Sequence, residues 1–98
     1  MNNLIDKNEL KAKAKNSVDQ VMDKIESMEQ KKEEVKSDVK QKFEKRIEQL
    51  KSARDEMKHK YEEMKEKSDD QLEDIQKAFS SASNKFEEGF ADLKQMVR

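Results

Sequence analysis

Apolar residues in this chain hold one helical phase over most of its length, and neither proline nor a run of glycines interrupts them. From Ala14 they step by three and four through Val18, Val21, Ile25 and Met28 to Val35 and Val39, with Lys32 standing where an apolar residue is expected. Heptad spacing of this kind favours a left-handed seam between helices. Further along the spacing lengthens, so that Met28, Val39, Leu50, Tyr61 and Leu72 are each 11 residues apart. Ala53 and Met57, Met64 and Ser68, and Ile75 and Phe79 complete the steps of three and four, and the stripe continues through Ser83, Phe86 and Phe90 to Leu93 and Val97. Eleven residues in three turns is about 3.67 per turn, close to a relaxed helix, which predicts a straight or slightly right-handed bundle.

Ser68 poses the main structural question. Ser68-x-x-Gln71 has the form of a capping box, and Asp69 and Asp70 suit a helix N-terminus, so a hairpin turning near Ser68 is one reading. Yet Ser17-x-x-Gln20 and Ser27-x-x-Gln30 have the same form inside periodic stretches, and neither Gly nor Pro supplies a turn at 67–71. A turn would also free the two sides from sharing a phase, and they share it. The sequence therefore favours an all-α chain whose residues 14–98 form one long amphipathic coiled-coil helix, with the helical hairpin as alternative and 67–71 as the candidate break. Residues 1–13, with only Leu4, Ile5 and Leu10 to bury, are expected to fray.

Composition explains why such a helix needs company. Apolar residues are 32% and charged residues 46% of the 98-residue chain, against roughly 45–50% apolar in ordinary globular domains. Disorder at this hydropathy usually brings Pro, Gly and a large net charge. Here Pro is absent, Gly occurs once, and 22 basic residues nearly balance 23 acidic ones. Acid-before-base pairs at i,i+4 (Glu9/Lys13, Asp38/Lys42, Glu56/Lys60, Glu63/Lys67 and Glu73/Lys77) add about 0.2–0.5 kcal/mol each. These are too small to hold a bare helix, so the stripe must be buried by folding back, by other copies, or by an apolar surface.

The same composition narrows the function classes. A net charge of −1 without a basic stripe argues against nucleic-acid binding, which draws its affinity from clustered Lys and Arg. The absence of Cys rules out disulfides and thiolate metal sites. Neither a secretory signal nor a membrane span is recognisable, and the expected location is the cytoplasm. His59 is the one histidine, has no metal-binding companions, and is expected on the surface, with Asp55 as a potential ion-pair partner. Adjacent acids such as Glu33-Glu34, Glu62-Glu63, Asp69-Asp70 and Glu87-Glu88 diverge on a helix and read as a solvated face. Met28, Met57 and Met64 lie on the stripe and read as core rather than as a promiscuous groove. Gly89, one residue before Phe90, marks a close approach or a weakened C-terminal helix. With no phosphate loop, nucleophile arrangement or metal spacing, the expectation is a non-enzymatic protein without a cofactor.

Residues 43–94 resemble the small bacterial coiled-coil proteins associated with stress response. The likeness lies in an aromatic-x-x-x-Ile-x-x-Leu opening, matched by Phe43, Ile47 and Leu50, then a Lys/Glu-rich middle, then a Ser-x-Asp segment followed by apolar steps. Members of that family often carry Trp where Leu72 and Ser83 stand here, so a role of those indoles does not transfer. The resemblance implies a soluble bacterial protein linked to stress, with no ligand assigned to particular residues.

Together these readings place the interaction surface on the seam Val39, Phe43, Ile47, Leu50, Met57, Tyr61, Met64, Leu72, Ile75, Phe79, Phe86, Phe90, Leu93 and Val97. The expected function is that of a structural or interaction protein that self-associates as a homo-oligomeric coiled coil. Its Phe-rich segment, residues 78–97, is either ordinary core or a docking element for a protein partner. The rival reading is a peripheral amphipathic helix on a membrane surface, because eleven-residue repeats also serve lipid-binding helices. The mixed charges and narrow stripe disfavour it.

Overall fold

A single straight helix of this chain would be about 147 Å long and wet along its whole stripe. The molecule folds back twice instead. The structure, a computed structural model, describes residues 7–97. They form three helices, α1 (Lys7–Gln30), α2 (Ser37–Glu66) and α3 (Leu72–Met96), joined through single-turn 3₁₀ segments at Lys31–Glu34 and Asp69–Gln71. The described chain is all-α and measures 54 × 21 × 16 Å.

Neighbouring helices run antiparallel. The Lys7 ammonium at the start of α1 donates to the Lys67 carbonyl at the end of α2 at 2.9 Å, while Lys51 reaches back to Glu29 at 3.0 Å. Along the α2–α3 pair, Arg46 meets Asp92 at 3.2 Å. That pair has the most extensive interface, α1 packs along α2, and α1 touches α3 sparingly.

Each helix turns the same kind of face inward. Ala14, Val18, Val21, Ile25 and Met28 come from α1, Phe43, Ile47, Leu50, Ala53, Met57 and Met64 from α2, and Leu72, Ile75, Phe79, Ala82, Phe86 and Leu93 from α3. No polar or charged residue is buried among the described residues. The driving force can be sized. A helical hydrogen bond lost at a turn costs about 1 kcal/mol net, whereas each fully buried large side chain contributes about 1.5–3 kcal/mol. Phe43, Phe86, Leu50, Met57, Met64, Leu72 and Leu93 are all essentially inaccessible, so their burial outweighs the bonds given up at two turns.

The continuous helix expected from the shared phase is therefore replaced by a three-helix chain. The hairpin alternative at 67–71 is realised, and a second turn at 31–36 was not anticipated. Both turns use the same backbone device, two consecutive extended residues: Val35 (φ −89°, ψ 142°) and Lys36 (φ −61°, ψ 149°), then Lys67 (φ −87°, ψ 160°) and Ser68 (φ −73°, ψ 165°). Among the described residues no φ is positive, which is why neither turn needs glycine. Continuity of phase failed as a criterion because each antiparallel helix independently presents one stripe to a shared core.

Ser68 lies exposed outside the core rather than on the seam, and Ser83 flanks it half-buried while Ala82 takes the inner place. The segment expected to fray, 1–13, divides: residues 7–13 form the first turns of α1, and residues 1–6 lie outside the described residues. The capping-box side chain does not act as anticipated either, since Ser68 makes no side-chain cap bond and only its carbonyl accepts from the Gln71 N–H at 3.1 Å. Ser68→Ala is accordingly expected to cost less than about 0.5 kcal/mol in thermal unfolding followed by circular dichroism, against about 1 kcal/mol for a working N-cap.

Candidate functional site

The apolar seam residues inferred from the sequence pack into one core, while Ser68 and Ser83 on the same stripe do not. Phe43, Ile47, Leu50, Met57, Met64, Leu72, Ile75, Phe79, Phe86 and Leu93 are buried, and Val39, Tyr61, Phe90 and Val97 pack half-buried against them. The structure brings these residues together within one chain. Ala82 is the buried residue of α3 that the stripe overlooked. Its position, three after Phe79 and four before Phe86, was the signal for it.

The aromatic end of the molecule has a definite geometry. Phe86 and Phe90 stack with ring centroids 6.0 Å apart and an interplanar angle of 14°. Phe86 is fully buried and Phe79 nearly so. The Lys24 ammonium lies 5.1 Å from the Phe90 ring centroid and that of Lys94 5.6 Å, both within cation–π range. Lys24 also pairs with Glu87 at 3.3 Å, so this one lysine ties α1 to α3. The Phe-rich segment is thus core, with Phe90 at its rim under two cations.

A cleft of about 640 Å³ lies between α2 and α3. Its floor is Leu50, Ala53 and Gly89, and its walls carry Arg46, Glu56, Lys85, Glu88 and Asp92. Gly89 is there because the helices approach closely: a Cβ at that position would stand 2.9 Å from Leu50 Cδ2. The close approach foreseen for this glycine is its actual role. Leu50 and Ala53 are only 1% and 5% exposed, so the cleft offers charged walls over a floor already covered.

The charged surface organises differently from the i,i+4 expectation. Of the five anticipated pairs only Glu9–Lys13, at 4.0 Å, falls within ion-pair distance. Lys60 turns to Glu63 at 3.1 Å instead of Glu56. His59 is exposed as expected, but its Nε2 lies 3.1 Å from Glu63 rather than beside Asp55, which Arg54 engages at 3.0 Å. Pairs between elements take precedence where the fold brings helices alongside: Lys51–Glu29, Lys24–Glu87, Arg46–Asp92 and, around the first turn, Lys32–Glu44 at 3.7 Å and Lys40–Glu33 at 3.2 Å.

Two of these contacts give stability a dependence on pH. The hydrogen bond from Lys60 holds the Glu63 carboxyl below the usual carboxylate range, against a smaller opposing effect of desolvation. The hydrogen bond to Glu29 raises the Lys51 ammonium above its ordinary value of 10.5. A depressed acid stabilises the fold at neutral pH and loses that contribution as pH falls through its folded pKa; a raised base loses its contribution as pH climbs through its own. The thermal midpoint is expected to hold level across neutral pH, then to fall slightly below about pH 4.5 and above about pH 10.5. Glu63→Gln should blunt only the acid limb and Lys51→Met only the alkaline one, as read from midpoints across a pH series.

No group of His, Cys, Asp or Glu suited to holding a metal ion is present among the described residues, and no helix there is long and apolar enough to cross a membrane. No protein-family model, curated protein or solved structure matches this chain.

Proposed function

We propose that this chain is a non-enzymatic structural or interaction protein that works by self-association through its helices, in the cytoplasm of a bacterial cell under stress. The burial pattern carries the reading. Every buried residue among those described is apolar and, apart from Val35 in the first turn, belongs to one stripe per helix, while ion pairs run across the surface. What such a molecule offers a partner is a helix face with matching salt bridges, a chemistry that sets pairing specificity in coiled coils. The likeness of residues 43–94 to bacterial stress-response coiled-coil proteins supports the cellular role. Met22, 42% exposed, is the one large apolar residue displayed outward among those described, which favours a helical partner over a lipid surface, where a broad apolar face is needed.

Sedimentation equilibrium from micromolar to millimolar chain, with and without anionic phospholipid vesicles, tests this. The expected result is reversible self-association in buffer that vesicles leave unchanged. A chain that stays monomeric throughout and floats with the vesicles overturns the reading in favour of a membrane-surface function.

A further inference from the structure

The turn between α1 and α2 is made from residues that prefer to be helix. Lys31, Lys32, Glu33 and Glu34 are strong helix formers, yet they adopt a 3₁₀ turn that ends in two extended residues, with no side-chain cap at the start of the turn or of α2. A local preference at odds with the global fold marks a hinge. Straightening it would place Met28, Lys32, Val35, Val39 and Phe43 on one face at steps of three and four, with Lys32 the lone polar residue. The helix released by such a straightening is also the one least tied down, since α1 meets α3 sparingly while α2 and α3 interlock at Leu50 and Gly89.

From this we infer that the chain exchanges α1 with a second copy, forming a domain-swapped dimer in which α1 and α2 become one continuous helix and α1 packs on the partner's α2–α3 hairpin. Chain exchange re-forms the monomer's own contacts between copies and adds only the seam along the straightened hinge. The charges around the hinge agree with it. Glu29–Lys51, Lys32–Glu44 and Glu33–Lys40 join residues whose numbers sum to values within seven of one another, an axial mismatch of about 5 Å from the mean register of two antiparallel long helices, which lysine and glutamate side chains span. Each pair re-forms between copies, and Lys32 keeps its carboxylate partner on the new seam. The inference rests on the self-association reading and specifies its geometry.

The test measures a distance inside one chain. Asn16 and Lys58 are exposed on α1 and α2, and the antiparallel register marked by the Lys7–Lys67 contact puts them at the same height along the pair. In a continuous helix they separate by about 60 Å. An Asn16→Cys/Lys58→Cys chain carrying two spin labels, refolded at millimolar concentration with excess unlabelled chain, is sized and its label distance is measured by pulsed electron resonance. The dimer fraction is expected to show the long distance and the monomer the short one. Lys32→Leu, which makes the stripe fully apolar, should raise the association constant about tenfold. Lys36→Pro should abolish the dimer and leave the monomer helical. At φ −61° after an extended Val35 proline fits the turn, the turn's hydrogen bonds run from the Val35 and Val39 N–H groups and survive, and the same proline breaks a continuous helix. A dimer retaining the short distance overturns the exchange while leaving self-association standing. Absence of any dimer, Lys32→Leu included, overturns both.

Discussion

Phe86→Ala is expected to destabilise the protein by about 3–5 kcal/mol, the usual cost of emptying a closed aromatic site. The Phe86 side chain is 0% exposed, it stacks on Phe90 at 6.0 Å, and it belongs to the α2–α3 pair, the largest interface in the molecule. A domain of this size holds about 5–15 kcal/mol in total, so the substitution removes a fifth or more of what keeps it folded. The thermal midpoint should fall by about 15–30 °C, or the melt should lose its cooperativity. Met22→Ala supplies the contrast, because Met22 is 42% exposed and its loss should stay within about 0.5 kcal/mol. A Phe86→Ala protein that melts within a few degrees of the parent contradicts the placement of Phe86 in the core.

Leu50→Ala is expected to cost about 2–5 kcal/mol, and part of that loss should be recovered by a second substitution on the facing helix. In the parent, Gly89→Ala sets two effects against each other. Alanine gains about 1 kcal/mol of helix propensity over glycine, but its Cβ falls 2.9 Å from Leu50 Cδ2, and crowding a packed leucine costs about 1–3 kcal/mol. The cleft beside Leu50 lets that side chain give way, which places Gly89→Ala near neutral or mildly destabilising. With Leu50 already alanine, the crowding disappears and the propensity gain remains, so Gly89→Ala should stabilise the variant by about 1 kcal/mol and refill some of the cavity. Denaturant unfolding of the two single variants and the double variant reads the coupling directly. Additive effects would mean that α2 and α3 do not meet at this pair.

The inward faces were legible from spacing alone. Met28, Leu50 and Leu72 stand 22 residues apart, two 11-residue repeats, and are buried on three different helices, because a relaxed helix returns to the same azimuth after every three turns whichever helix it belongs to. The turns were harder to find for the same reason: a phase that survives two reversals carries no trace of them. A mark shared by both is the triplet Lys-Ser-Asp, which occurs at 36–38 and again at 67–69. Serine and aspartate suit a helix start; the second triplet opens the candidate break at 67–71, while the first sits inside a heptad run whose apolar steps mask it. Lys32, out of place on a continuous stripe, was the other sign, and it lies within the first turn paired to Glu44.

Of the candidate site, the apolar members were visible and the charged ones were not. Lys24, which bridges Glu87 and the Phe90 ring, and Lys51, which reaches Glu29, have nothing in their local sequence to distinguish them from other lysines. Their partners are set by which helices lie side by side. The anticipated Glu56/Lys60 and Asp55/His59 pairs lost to Glu63 and Arg54 because exposed ion pairs differ by only a few tenths of a kcal/mol, and small shifts in rotamer decide between them.

Periodicity and composition make this protein helical and mark most of its inward residues, because they act on each turn of helix independently; they also put Lys32, Ser68 and Ser83 on the stripe, and the fold leaves all three outside the core. Burial of the stripe by the chain's own two reversals, and the choice of charges that meet across helices, belong to the fold. Folding back and pairing with another copy bury the same residues by similar contacts, so the choice depends on the free energy of two short turns, which local spacing does not record.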